Sequence, residues 1–308
     1  MRHLTTLYPT PPYNFDLLLD FLNRFAHWTL DVPRDGAYWR TLPRDGGLAL
    51  VRVSSSGSVN EPALDVHMVA STGAVDEQAV IETLQHILPL THDRSSFHDC
   101  ARNDGALWAV VEPLLGMPEL RGATLYEALM QTIIEQQIAW VTAQKAQRWL
   151  IEWAGNFIEF DDYRYYAFPR PQQLVAATVE DLTPLKITFK RMALMIDLAG
   201  QVASGQLDLE GLRHVPPDEA YKRLLAIKGI GHWTAVVSLE RAFGYDGWVA
   251  HNDVVLQAAT NRYFYGGQGR IPPEQVTQTF ARYGEHAGLA ARYTMFRWVL
   301  EQYPKRGD

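Results

Sequence analysis

The chain has 308 residues, 28 Lys and Arg against 35 Asp and Glu for a net charge of −7, 47% hydrophobic residues and a single cysteine, Cys100. That length suits about two domains of ~100–200 residues each, and the apolar share excludes disorder as the main state. One thiol excludes a disulfide framework, a Cys-rich zinc module and a four-cysteine iron–sulfur cluster held within one chain. The N-terminal MRHLTTLYPTPPYNFD holds no apolar core of signal-peptide length, and no run approaches ~18 apolar residues. A soluble, cytoplasmic protein without a membrane partner is expected. The negative balance argues against a generic polyanion binder.

Residues 15–27 (FDLLLDFLNRFAH) have helical spacing. Residues 48–53 (LALVRV) and 63–70 (ALDVHMVA) read as strands, with Leu64, Val66 and Met68 on one face and Asp65 and His67 on the other. Residues 75–88 (VDEQAVIETLQHIL) are helical again, and Asp35-Gly36, Asp45-Gly46-Gly47 and a Ser/Gly loop at 54–58 punctuate the elements. A small α+β domain with an antiparallel sheet over residues 1–105 follows.

From Ala106 onward the pattern is helix after helix. Thr124 as N-cap and Glu127 three residues on form a capping box, opening an amphipathic helix with Leu125, Ala128, Leu129 and Ile133 on one face. Further helices follow Pro169 and Pro171 and occupy 194–202 and 221–227. The prediction is an all-α domain over 106–308. The charge divides as −5 over 1–105 and −2 over 106–308, so the acidity sits mainly in the first domain.

The most specific local pattern is LLAIKGIGHWTA, residues 224–235. Gly229 can adopt the left-handed conformation that ends a helix, and a second helix must start within about two residues of Gly231. Such a tight turn leaves amides of Gly229, Gly231, His232 and Trp233 uncovered at a helix N-terminus, where unsatisfied donors and the dipole favour an anion such as phosphate. Twenty-two residues after Gly231 stands Asp253, within GYDGWVAHNDVVL. Read locally, it is a helix N-cap, a candidate catalytic carboxylate, or both at once.

This pattern resembles the helix-hairpin-helix motif of the HhH-GPD superfamily of base-excision DNA glycosylases, LxxIxGIGxWTA followed about twenty residues on by a short Gly/Pro-containing loop and an aspartate. Ile133-Ile134-Glu135-Gln136-Gln137-Ile138 resembles the family's IxxQQI segment. Phe168-Pro169-Arg170-Pro171, followed by Leu182, Lys186 and Phe189-Lys190-Arg191, resembles its FPTPE…L…FRKA stretch. The start, Tyr8-Pro9-Thr10-Pro11-Pro12-Tyr13, is similar to the sheet-bearing domain of the 3-methyladenine DNA glycosylase II subfamily. The resemblance therefore spans essentially the whole chain and implies an α+β domain followed by a helix-hairpin-helix DNA glycosylase domain.

What it implies chemically is a monomeric, monofunctional hydrolase of base-excision repair that acts on double-stranded DNA containing a damaged base. Such an enzyme flips out an alkylated base like 3-methyladenine or 7-methylguanine. Asp253 would stabilise the oxocarbenium-like sugar while water attacks. Bifunctional members carry a lysine where this chain has Trp233, which would instead stack on a cationic base in the pocket. Gln137, with Gln136 beside it, falls at the wedge that fills the gap in the duplex. The carbonyls of Leu225, Ile227 and Ile230 would hold a monovalent cation, Na⁺ or K⁺; no other cofactor and no iron–sulfur cluster is implied. With phosphate contact assigned to amides, the −7 charge predicts a modest, salt-sensitive grip on the duplex.

Two positions depart from the pattern: Val237 and Ala291 stand where rings are expected, leaving Tyr126, Trp140, Phe189 and Trp298 as candidates to supply them. Asp246 reads as an exposed turn residue, His232 and His251 as ambiguous, and Lys186, Lys190 and Arg191 as a small basic face. Two alternatives stay open at this point: a glycosylase for deaminated or oxidised bases, and a non-catalytic helix-hairpin-helix protein that only grips DNA.

Overall fold

Period-two alternation along the expected strands produces a sheet with one face to pack. In the computed structural model, which describes residues 1–24, 30–44, 46–91 and 93–303, five antiparallel strands form that sheet. They are β1 (Arg2–Leu7), β2 (Val32–Arg34), β3 (Ala37–Arg44), β4 (Gly47–Ser55) and β5 (Leu64–Thr72), in the order β1-β5-β4-β3-β2. The end of the helix expected over 15–27, and Asp45 of the expected glycine turn, lie outside the described residues.

Two helices cover one face. They are α1 (Phe15–Asn23), capped by Asn14 through Leu17 N at 3.0 Å, and α2 (Glu77–Ile87), capped by Asp76. Leu18, Leu22, Val80 and Leu84 pack there with Val51, Val53, Leu64 and Val66, all essentially buried.

The remaining helices are α3 (Ser95–Arg102), α4 (Gly105–Val111), α5 (Leu125–Glu135), α6 (Trp140–Ala154), α7 (Pro171–Val175), α8 (Phe189–Ala203), α9 (Pro217–Leu225), α10 (His232–Phe243), α11 (Val254–Tyr265), α12 (Pro273–Ala281) and α13 (Ala287–Gln302). They build two cores. One joins α5 to α10, with Leu129, Ile133, Leu198, Leu224 and Leu239 inside. The other joins α3 and α4 to α11–α13 through Phe97, Val110, Leu256, Phe280 and Leu289. Phe97 and Ala101 precede residue 106, yet they pack with the C-terminal helices. No helix among the described residues is long and apolar enough to cross a membrane.

The helical part also contains a hairpin, β6 (Phe157–Phe160) with β7 (Tyr163–Tyr166), where helices alone are expected. Its turn residues Asp161 and Asp162 both have positive φ, +52° and +55°, the geometry of the two-residue turns that suit strand twist. Ile158 and Tyr165 bury against Trp39 and Leu50, closing the second face of the large sheet.

A buried ion cluster joins sheet to helices. Arg40 on β3 donates to Asp31 at 2.8 Å and to both oxygens of Glu127 at 2.7 Å, and Tyr38 donates to Asp31 at 2.6 Å. The Thr124 hydroxyl caps α5 through Glu127 N at 3.0 Å, but the Glu127 side chain serves Arg40 instead of completing the expected box with the cap. Burial opposes charge on Arg40, yet Asp31 and Glu127 hold the guanidinium above its ordinary value. A second cluster ties the loop before α3 to α10 and α13: Arg94 donates to Glu119 (2.7 Å) and Asp246 (2.9 Å), while Arg292 donates to Glu119 and, at 2.6 Å, to Glu240. Asp246, expected as an exposed turn residue, is half-buried and ion-paired.

Removing one member of a buried pair strands its partner's charge. Arg40→Ala should therefore lose about 3–5 kcal/mol of unfolding free energy, more than Arg40→Met combined with Glu127→Leu, as measured by urea titration. His86 on α2 supplies a pH test. Burial, with help from Arg213 and Arg121, lowers it to about 4. The unfolded chain then binds this proton more readily than the folded one between its ordinary value near ~6.5 and about 4. Stability should fall on acidification through that window, and His86→Gln should flatten that part of the fall in denaturation midpoint.

Candidate active site

α9 begins at Pro217, with Asp218 and Glu219 in its first turn and Lys222 and Arg223 in its last, each favourable to the dipole. It ends at Leu225, and one short turn reverses the chain into α10. Gly229 is required there by its φ of +96°, a conformation that residues with a Cβ rarely adopt; the nearest atom to a Cβ would be the terminal Cδ2 of Leu194, at 2.9 Å. Gly231 is extended (φ −97°, ψ 179°) and faces open space, so its lack of a side chain serves access rather than conformation. Buried Ile230 anchors the turn in the helical core.

The first intrahelical bond of α10 runs from Ala235 N to Gly231 O at 2.9 Å. The amides of Gly229, Gly231, His232 and Trp233 have no backbone acceptor among the described residues, and the Gly229 and Gly231 positions are exposed. Lys228, also exposed, adds a cation to this edge that the sequence pattern alone did not single out. The His232 ring, by contrast, is fully engaged. Its Nδ1 pairs with Tyr221 OH at 2.7 Å, its Nε2 donates to Val249 O at 3.0 Å, and it stacks on His251 at 4.6 Å. Burial, with His251 alongside, lowers its pKa and favours the neutral ring. Only the His232 amide is available to an anion.

That His232–Val249 bond carries the hairpin to the next loop, where His251 N returns to Val249 O at 2.8 Å and Asp253 N to Ala250 O at 2.8 Å. Asp253 is the N-cap of α11: Oδ1 accepts from Val255 N (2.8 Å) and Leu256 N (3.0 Å). Its other oxygen, Oδ2, accepts from the indole Nε1 of Trp233 at 2.9 Å. Trp233, expected against the base, therefore also orients the carboxylate. The side chains are twenty residues apart in sequence, and no local pattern signals the bond. Arg241 on α10, paired with Glu135 at 2.8 Å, lies near enough to interact electrostatically with Asp253.

The two glutamines part company. Gln137 has φ +54°, a conformation rare for a residue with a Cβ, and is exposed. Gln136 turns inward: its Nε2 reaches Thr234 Oγ1 at 3.0 Å and Gly229 O at 3.3 Å, so its side chain is engaged within the protein. Arg191 leaves the expected basic face and donates to Gln136 O, whereas Lys186 and Lys190 stay exposed. Of the candidate rings, Tyr126 is buried in the helical core against Phe168, Phe189 is 67% exposed, and Trp140 and Trp298 are half-buried; Ala291, where a ring is expected, belongs to the C-terminal core. A separate open groove of about 940 Å³, lined by Arg44, Gly47, Thr72, Asn156 and Arg170, takes in none of the site residues.

A glycine-turn hairpin whose indole holds a helix-capping aspartate, in a chain that also carries a five-stranded antiparallel sheet, defines a helix-hairpin-helix protein of the DNA glycosylase fold. The solved 3-methyladenine DNA glycosylase from Archaeoglobus fulgidus superposes with a TM-score of 0.79 at 22% identity, over 96% of this chain and 98% of that one. In sequence the chain is a homologue of the DNA-3-methyladenine glycosylases. It is 28% identical over 211 residues to the one from Bacillus subtilis (68% of this chain, 69% of the relative). It is 26% identical over 254 residues to DNA-3-methyladenine glycosylase 2 of Escherichia coli (82% and 83%). No family model matches the chain.

Trp233→Phe keeps a ring but deletes the N–H that holds Asp253. A hydrogen bond to a charged group contributes about 1.5–3 kcal/mol, so kcat for base release should fall about ten- to a hundredfold with duplex affinity unchanged. A loss of affinity with turnover unchanged would assign the indole to DNA contact alone.

Proposed function

We propose that this protein is a monofunctional DNA glycosylase that excises alkylated bases of the 3-methyladenine and 7-methylguanine kind from duplex DNA in base-excision repair. The observation that carries this reading is the Asp253 carboxylate, fixed by two amides and one indole beside the hairpin.

Phosphate binds the open amides of Gly229, Gly231, His232 and Trp233, with Lys228 close by. Gln137 enters the stack and fills the gap left by the extruded nucleotide. Flipping costs a few kcal/mol, least for a damaged base. The Trp233 face meets the cationic base, which is already a good leaving group and needs little general-acid help. As the glycosidic bond breaks, positive charge grows on the sugar, and Asp253 stabilises it without reorganising because its oxygens are already held. Water then attacks the sugar, leaving an abasic site. Tryptophan at position 233 supplies no amine, so no covalent imine forms and the strand is not cut.

A monovalent cation, Na⁺ or K⁺, would be held by the carbonyls of Leu225, Ile227 and Ile230. The Leu225 and Ile230 carbonyls accept no backbone hydrogen bond among the described residues, and Ile227 O accepts one, from Ile230 N at 3.0 Å, keeping a lone pair. Bound there, the ion would add positive charge behind the phosphate. The protein acts as a soluble monomer.

Wild type should release 3-methyladenine and 7-methylguanine from methylated duplex, and Asp253→Asn should be slower by about 10²–10³-fold. Borohydride should trap no adduct. Preference for hypoxanthine, uracil or 8-oxoguanine over methylated bases would overturn the alkylation reading, and full activity in Asp253→Asn would overturn the role of the carboxylate.

A further inference from the structure

The wedge and the phosphate grip come from separate stretches of chain, Gln137 after α5 and Gly229–Trp233 running from the turn after α9 into the start of α10. Their relative placement decides whether a seated phosphate brings the wedge to the right base step. We infer that Gln136 and Arg191 are positioning residues that lock the Gln137 wedge to the hairpin, an inference that rests on the DNA-contact roles proposed above.

Gln136 ties the turn of the hairpin to its second helix. One amide nitrogen reaches Gly229 O, on the left-handed turn residue, and Thr234 Oγ1, in the first turn of α10, at 3.3 and 3.0 Å. Its own carbonyl accepts from Arg191 in the first turn of α8. The residue before it is fixed as well: Glu135 is buried and accepts from Arg241 of α10 and, at 2.8 Å, from Gln147 of α6. Three helices therefore converge on one peptide, and the next residue is the exposed Gln137 in its positive-φ conformation. A residue with a Cβ keeps that conformation when its surroundings hold it there. Gln136 and Arg191 do the holding, so wedge and phosphate grip move as one rigid unit.

The test separates flipping from chemistry by presenting one 7-methylguanine oligonucleotide as a duplex and as a single strand, where no stacked pair has to be opened. In Gln136→Ala and Arg191→Ala, excision from the duplex should fall about tenfold and excision from the single strand less than about threefold, because a displaced wedge penalises only the duplex. Gln136→Ala combined with Gln137→Ala should be no slower on duplex than Gln137→Ala alone, since both act on the same step. Equal losses on the two substrates, or additive losses in the double variant, overturn the inference while leaving the glycosylase reading intact. No excision by wild type from either substrate overturns that reading and this inference with it. Unfolding temperatures close to the parent's confirm the variants are folded; if Gln136→Ala is not, Gln136→Glu takes its place, which keeps the shape but removes the donor.

Discussion

The Asp253 carboxylate accepts three hydrogen bonds from two segments of chain, and the geometry of the site depends on them. Two come from its own helix, as amides that any N-cap aspartate finds. The third comes from Trp233, and it exists only because the turn at Gly229 is tight enough to bring the start of α10 against the loop before α11. The His232–Val249 bond holds the same two segments a few residues away. A β-carbon at position 229 would require a strained backbone at the turn that both connections flank.

The distribution of charge explains how an acidic chain suits an acidic ligand. Several arginines that composition would count toward nucleic acid are spent internally: Arg40 on Asp31 and Glu127, Arg94 and Arg292 on Glu119, Arg241 on Glu135. These pairs fasten the sheet, the loop before α3 and the helices to one another. Under the proposed function, backbone amides with the exposed Lys228, Lys186 and Lys190 are the groups offered to the duplex. Recognition by fixed amides is short-ranged, which places the burden on geometry instead of on a long-range field.

Elements with local periodicity were legible. The strands at 48–53 and 63–70 correspond to β4 and β5, the helices at 15–27 and 75–88 begin or lie where α1 and α2 do, and Thr124 caps α5. β3 escaped because it is covered on both faces and shows no alternation, with a proline inside it. The β6–β7 hairpin escaped because Asp161-Asp162 lacks the glycine that usually marks such turns. Glu127 sits where a capping box wants it, but a buried arginine from another strand outbids the local partner.

By itself, the sequence determined what nearest neighbours along the chain can decide: the helix-hairpin-helix turn, the N-cap at Asp253, the missing lysine at 233 and the single thiol. These rest on φ preference, hydrogen bonds within four residues and chemical identity, none of which needs a partner from elsewhere. Only the tertiary structure decided that Gln137 and not Gln136 is exposed, that the His232 ring is engaged, that Trp233 holds the carboxylate and that Arg191 turns inward. Each of those depends on a contact between residues from 17 to 98 positions apart. Such contacts form through the packing of whole helices, and chain order carries no record of them.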